Sequence, residues 1–125
     1  PYSEFKEKFT NVRSAERNFQ LVVETASDIN THIIAEVGAA TPDTYRESFQ
    51  GLAKLRILKA DLLPEFIKSA NLRNILVHEY DFDEDTAIFY RSAKEFLPLY
   101  EQYIVLIREY LDSRGTSQQK LPVNQ

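Results

Sequence analysis

Apolar side chains recur every three or four residues along almost the whole of this chain, and no stretch keeps the two-residue alternation of a half-buried strand. Phe5, Phe9, Val12, Phe19, Val22, Ala26, Ile29, Ile33 and Val37 fit a period of 3.6 and predict a long first helix, with room for one break. Gly38 should stop it, and Thr41-Pro42 then offers an N-cap followed by proline at the first helical position. Tyr45, Phe49 and Leu52 give the second helix its apolar face, weakened in the middle by Gly51. Asp61 is placed to cap a third helix that tolerates Pro64 in its first turn and carries Phe66, Ile67, Ala70 and Val77 towards Tyr80. The acidic stretch Asp81 to Asp85 reads as a connection. Phe89, Ala93, Phe96, Tyr100, Tyr103, Ile107 and Leu111 then fall in register on a last helix, with a kink expected at Pro98. The fold class is therefore all-α, a bundle of four to five helices occupying residues 1–112, with 113–125 expected as a flexible C-terminal tail.

A chain of 125 residues is the size of one domain. Charges interrupt every apolar segment well short of the roughly 20 residues needed to cross a bilayer, and the start does not resemble a signal peptide, so a cytoplasmic protein without a membrane partner is expected. With no cysteine, thiolate nucleophiles, disulfides and zinc–thiolate centres are excluded together. The formal charge of −4 is the wrong sign for a protein held to nucleic acid by bulk charge, so any such site must be local. Arg46, Lys54, Arg56, Lys59, Lys68 and Arg73 do concentrate in the middle third.

The segment Asn71-Leu72-Arg73-Asn74-Ile75-Leu76-Val77-His78-Glu79-Tyr80 carries the chemistry. It resembles the HEPN signature, an arginine commonly followed by a polar residue and then a histidine four to six residues on. The form with four intervening residues and a tyrosine two beyond the histidine is that of the HepT toxins, and Arg73, Asn74, His78 and Tyr80 fill its positions. Asp28 to Ile34 and Pro42 to Phe49 are also similar to HepT helices, so the resemblance spans roughly residues 10 to 111. It implies a homodimeric HEPN bundle, a ribonuclease acting on tRNA or mRNA, and a partner antitoxin of the MNT nucleotidyltransferase type that transfers AMP to the motif tyrosine, here Tyr80. It implies no cofactor and no metal. The alternative is a HEPN domain without catalysis that docks on a nucleotidyltransferase; an intact Arg73, Asn74 and His78 argues against it.

The residue types suit the chemistry independently. RNA cleaves when its own 2′-hydroxyl attacks the adjacent phosphate, so a protein need only move two protons and stabilise the phosphorane. Histidine, with an unperturbed pKa of about 6.5, serves both transfers, and arginine offers a permanent charge to phosphate oxygens. At about 100° per residue, however, His78 lies some 140° round a helix from Arg73 and stacks instead over Asn74. Three solutions stand open: the helix ends before His78, Arg73 reaches round it, or a second protomer completes the site. The resemblance favours the third, because HEPN motif helices face each other across a twofold axis. His32 is expected to be a partly buried structural histidine outside the site, and the aromatic stripe of the last helix to be packing rather than a base-stacking platform.

Overall fold

The computed structural model describes residues 2–7, 9–78 and 82–119. Among them the chain forms α1 (Tyr2–Glu7), α2 (Phe9–Glu36), α3 (Tyr45–Lys54), a 3₁₀ turn (Ala60–Leu62), α4 (Leu63–His78) and α5 (Phe82–Gln119), and no strand. The all-α expectation holds, with five α-helices among the described residues.

Helix boundaries follow their capping chemistry. Gly38 ends α2 at φ +78°, its N–H bonded to Ala35 O and that of Ala39 to Ile34 O, the paired bonds of a Schellman motif. The same motif ends α3, with Arg56 N–H on Ala53 O and Ile57 N–H on Leu52 O. There the left-handed position, φ +62°, falls to Arg56, which has a Cβ to accommodate. The cap of α3 is Thr44 rather than Thr41: Thr44 Oγ1 accepts from Glu47 N at 3.0 Å, and Glu47 Oε1 accepts from Asp43 N at 2.8 Å. Only Thr44 has a glutamate three residues on to complete this reciprocal arrangement, so Pro42 is left in the preceding turn.

Three further boundaries differ from expectation. Asp61 lies inside the 3₁₀ turn and caps nothing, the cap position being Lys59 without a side-chain bond. Most of the acidic stretch is helical and not a connection: α5 is described from Phe82 and includes Asp83, Glu84 and Asp85, while Asp81 lies outside the described residues. At the other end α5 continues past Ser113 to Gln119, tied back to α2 by the hydrogen-bonded ion pair of Arg114 with Glu36. Pro98 sits within α5 without ending it.

The core lies where α2, α3, α4 and α5 meet. Phe49 and Phe66 are fully buried and stacked at 5.1 Å, and Tyr100 and Tyr103 of α5 close on Phe66 at 5.3 and 5.8 Å. Each fully buried phenylalanine contributes about 1.5–3 kcal/mol by the area it removes from water. The phenols are satisfied internally. Tyr100 Oη is 2.8 Å from Ser69 Oγ, and Tyr103 Oη lies 2.6 Å from Asn30 Oδ1 and 3.0 Å from Ala26 O. Burial raises the pKa of both well above the usual tyrosine value. The aromatic stripe of α5 is thus core, as its spacing indicated.

Gly51 has a specific reason to be small. A Cβ there would lie 2.5 Å from Ile34 Cδ1, so the glycine lets α3 approach α2. A buried polar seam fixes the same pair of helices: Ser48 Oγ donates to Tyr45 O at 2.8 Å while accepting from Ser27 Oγ at 3.0 Å and Asn30 Nδ2 at 3.2 Å. That seam sets the first turn of α3, and hence Tyr45, against α2.

Candidate active site

Arg73 lies on α4, and its guanidinium turns towards α2. Nε and Nη2 donate to one oxygen of Glu24, Oε2, at 3.1 and 2.8 Å, and Nη1 donates to Asn74 Oδ1 at 3.2 Å. The planar group also rests over the Tyr45 ring, its Cζ 4.7 Å from the ring centroid. The Arg73 side chain is consequently only 14% exposed. Of the five N–H groups of a guanidinium, the three named bonds take three, leaving one on each terminal nitrogen. Those two remaining donors, one on each terminal nitrogen, are what the group can offer to a phosphate.

His78 closes the described part of α4 and is exposed. Because α4 stays α-helical through His78, the angular separation from Arg73 expected of an ideal helix applies. The structure therefore does not bring Arg73 and His78 to one point within this chain. Asn74, also exposed, lines a polar cleft of about 420 Å³ with Ser27, Thr31, Asp43, Thr44 and Tyr45. Tyr80 lies outside the described residues. His32 is exposed rather than partly buried, since it points away from the buried Ile33 and Ile34 that follow it.

Two members of the site went unnoticed in the sequence, Glu24 and Tyr45. The Glu24–Arg73 contact spans 49 positions, so no local spacing announces it. The available signal was a polar stripe on α2, where Glu24, Ser27 and Thr31 recur at helical spacing and face α4 and the cleft instead of only water. Tyr45 was assigned to the apolar face of α3, which it also serves. Around the motif, Val77 and Leu21 are each 41% exposed, one turn beyond Arg73 and one turn before Glu24.

The chain is 38% identical over 96 residues to a tRNA nuclease HepT of Aphanizomenon flos-aquae, covering 77% of this chain and 65% of that protein. It is 32% identical over 106 residues to an mRNA nuclease HepT of Shewanella oneidensis, covering 85% of this chain and 79% of that protein. The chain thus spans a little under two thirds of the length of the first of these relatives. Among solved structures it resembles the tri-AMPylated Shewanella oneidensis HEPN toxin in complex with its MNT antitoxin, with a TM-score of 0.76, 32% identity and coverage of 86% of this chain and 80% of that one. A toxin–antitoxin structure containing AMP-PNP matches with a TM-score of 0.74 at 32% identity, over 84% of this chain and 79% of that one. The profile of the ribonuclease HepT-like family matches residues 1–107, and the chain belongs to that family.

Proposed function

We propose that this protein is a metal-independent endoribonuclease, the toxin of a HEPN/MNT toxin–antitoxin pair, that cleaves cellular tRNA or mRNA by 2′-hydroxyl attack. The observation that carries the reading is Arg73 itself, an arginine held by Glu24 and Tyr45 with one donor on each terminal nitrogen not used by the named bonds, on the same helix as an exposed histidine. Curated relatives that are nucleases of tRNA and of mRNA support the activity and leave both substrate classes in view. Such targets put the protein in the cytoplasm, consistent with the finding that no helix among the described residues is long and apolar enough to cross a membrane.

In the proposed mechanism one imidazole of His78 removes the 2′-hydroxyl proton, the resulting oxygen attacks phosphorus, and a second imidazole protonates the departing 5′-oxygen. The products are a 2′,3′-cyclic phosphate and a 5′-hydroxyl. Arg73 stabilises the charge that builds on the phosphorane oxygens, and Asn74 positions the phosphate or His78. Two histidines in one cleft require two copies of the chain. Of the three ways to reconcile Arg73 with His78, an early end to α4 is removed by its helicity through His78, and a reach of Arg73 round α4 is opposed by its bonds to Glu24 on α2. Both observations favour a homodimer with the two α4 helices facing each other, which would cover the exposed Val77 and Leu21.

The test is incubation of purified protein with total RNA in EDTA. Cleavage should persist and leave 2′,3′-cyclic phosphate ends, while His78→Ala, still a folded helical protein, should lose about 10²–10⁴-fold in rate. Comparable cleavage by His78→Ala, or a magnesium requirement, would overturn the proposal.

A further inference from the structure

We infer that Glu24 is a positioning residue for catalysis, holding the Arg73 guanidinium so that its terminal edge, and not its side edge, meets the scissile phosphate. The inference rests on the ribonuclease reading of Arg73 and assigns a role to a residue outside the signature motif.

A guanidinium has two edges that can grip an oxyanion, one formed by Nε with Nη2 and the other by the two terminal nitrogens. Glu24 Oε2 takes the first edge at 3.1 and 2.8 Å. The Tyr45 ring blocks one face of the plane at 4.7 Å, and Asn74 Oδ1 takes one hydrogen of Nη1 at 3.2 Å. Three groups from three helices thus fix the plane, its rotation and its tilt, and one donor on each terminal nitrogen is the part left over. A flexible arginine would present either edge and lose rotamer freedom on meeting substrate; this one is ordered beforehand. Arg17 also approaches Glu24 Oε2, at 4.0 Å, but its side chain is 60% exposed, so Arg73 is the main partner.

Removing Glu24 should act on the chemical step more than on binding. The guanidinium keeps its charge and becomes freer to meet any phosphate, so the ground-state complex holds or tightens, while the oriented transition-state contact is lost. Glu24→Gln is the first variant. Its amide retains an acceptor oxygen but loses the charge and presents N–H groups to a donor-only partner. It is expected to lower kcat by about 10–100-fold with KM unchanged or lower and with a melting temperature close to wild type. Glu24→Asp keeps the charge with a shorter reach and should recover part of the rate. In an Arg73→Lys background the same Glu24→Gln change should cost less than about threefold, because an ammonium has no second edge to orient.

Three results would overturn the inference. Cleavage by Glu24→Gln as fast as wild type or faster would make Glu24 a competitor for Arg73. An equal loss in the Arg73→Lys background would mean that Glu24 acts elsewhere. If wild type cleaves RNA but Arg73→Ala does so equally well, the ribonuclease reading of Arg73 fails and the role of Glu24 fails with it. The first two results leave that reading intact, since Arg73→Ala would still be inactive.

Discussion

At the scale of single residues, the arginine–asparagine–histidine–tyrosine motif was legible because its members lie within eight consecutive positions, where spacing is visible in a sequence. What surrounds Arg73 was not, because a carboxylate on α2 and a ring on α3 reach it only after three helices pack. A glutamate on a helix face that is otherwise polar looks like solvated surface. The residue-scale prediction concerns Tyr80 and inherits both lessons. Seven positions separate it from Arg73, about 20° short of two helical turns, so a helix continuing that far would put the two side chains on one face. In the proposed modification the Tyr80 phenol attacks the α-phosphate of ATP, pyrophosphate leaves, and the new phosphodiester carries one negative charge. That phosphate would engage the terminal edge of Arg73 in place of RNA. The Shewanella toxin in its solved complex is tri-AMPylated, which supports the same chemistry here. Tyr80→Phe should therefore remain a nuclease that an MNT antitoxin and ATP cannot silence covalently, and mass spectrometry of the wild-type toxin after co-expression should find AMP on the Tyr80 peptide. AMP on another peptide instead would exclude the mechanism.

At the scale of elements, helix existence was legible and helix starts were less so. Apolar periodicity gave α2, α3, α4 and α5 most of their buried faces, since Phe19, Phe49, Phe66, Phe89, Phe96 and Tyr103 all reach the core, whereas Val22, Val37, Val77 and Leu111, expected on the same faces, are exposed, and on α2 it is Val23 that is buried. The start of α3 was misplaced by three residues because two threonines compete for the cap and only hydrogen-bond reciprocity with Glu47 distinguishes them. Gly51 was read as a flaw in α3, whereas its missing Cβ is what lets α2 pack so closely. Its replacement gives the prediction at this scale. Gly51→Ala gains about 1 kcal/mol in helix propensity, yet the new methyl meets Ile34, which is only 3% exposed and has little space in which to move. Overpacking costs of about 1–3 kcal/mol outweigh the gain, so the variant should melt several degrees lower. Ile34→Val removes the offending Cδ1, and Gly51→Ala should then cost less in that background than alone. Additive losses in chemical denaturation would place the strain elsewhere.

At the scale of the whole molecule, two properties depend on the assembled bundle. Tyr100 and Tyr103 titrate well above the ordinary tyrosine pKa of 10.0 because folding buries them, so the folded state retains protons that the unfolded state releases. Stability is complete below about pH 10 and falls as pH rises beyond it, and melting curves from pH 8 to 11 should drop steeply only at the alkaline end. An unchanged melting temperature at pH 11 would mean that these phenols are not buried in solution. The second property is the completeness of the active site. A helix that is regular through His78 points its arginine and its histidine in different directions, and Glu24 holds the arginine to its own side. In the proposed homodimer one chain supplies two halves that do not meet, and a facing copy would supply the missing half of each. Arg73→Ala and His78→Ala homodimers should both be inactive. A protomer of one paired with a protomer of the other still holds one arginine and one histidine, now on different chains. If the cleft is composite, unfolding and refolding a 1:1 mixture, or co-expressing the two with different affinity tags, should give a heterodimer, isolated through both tags, that cleaves more slowly than wild type because one of its two imidazoles is missing, but measurably faster than either parent homodimer. If arginine and histidine serve only within a chain, that heterodimer will be as inactive as its parents, and the facing-helix arrangement will be excluded.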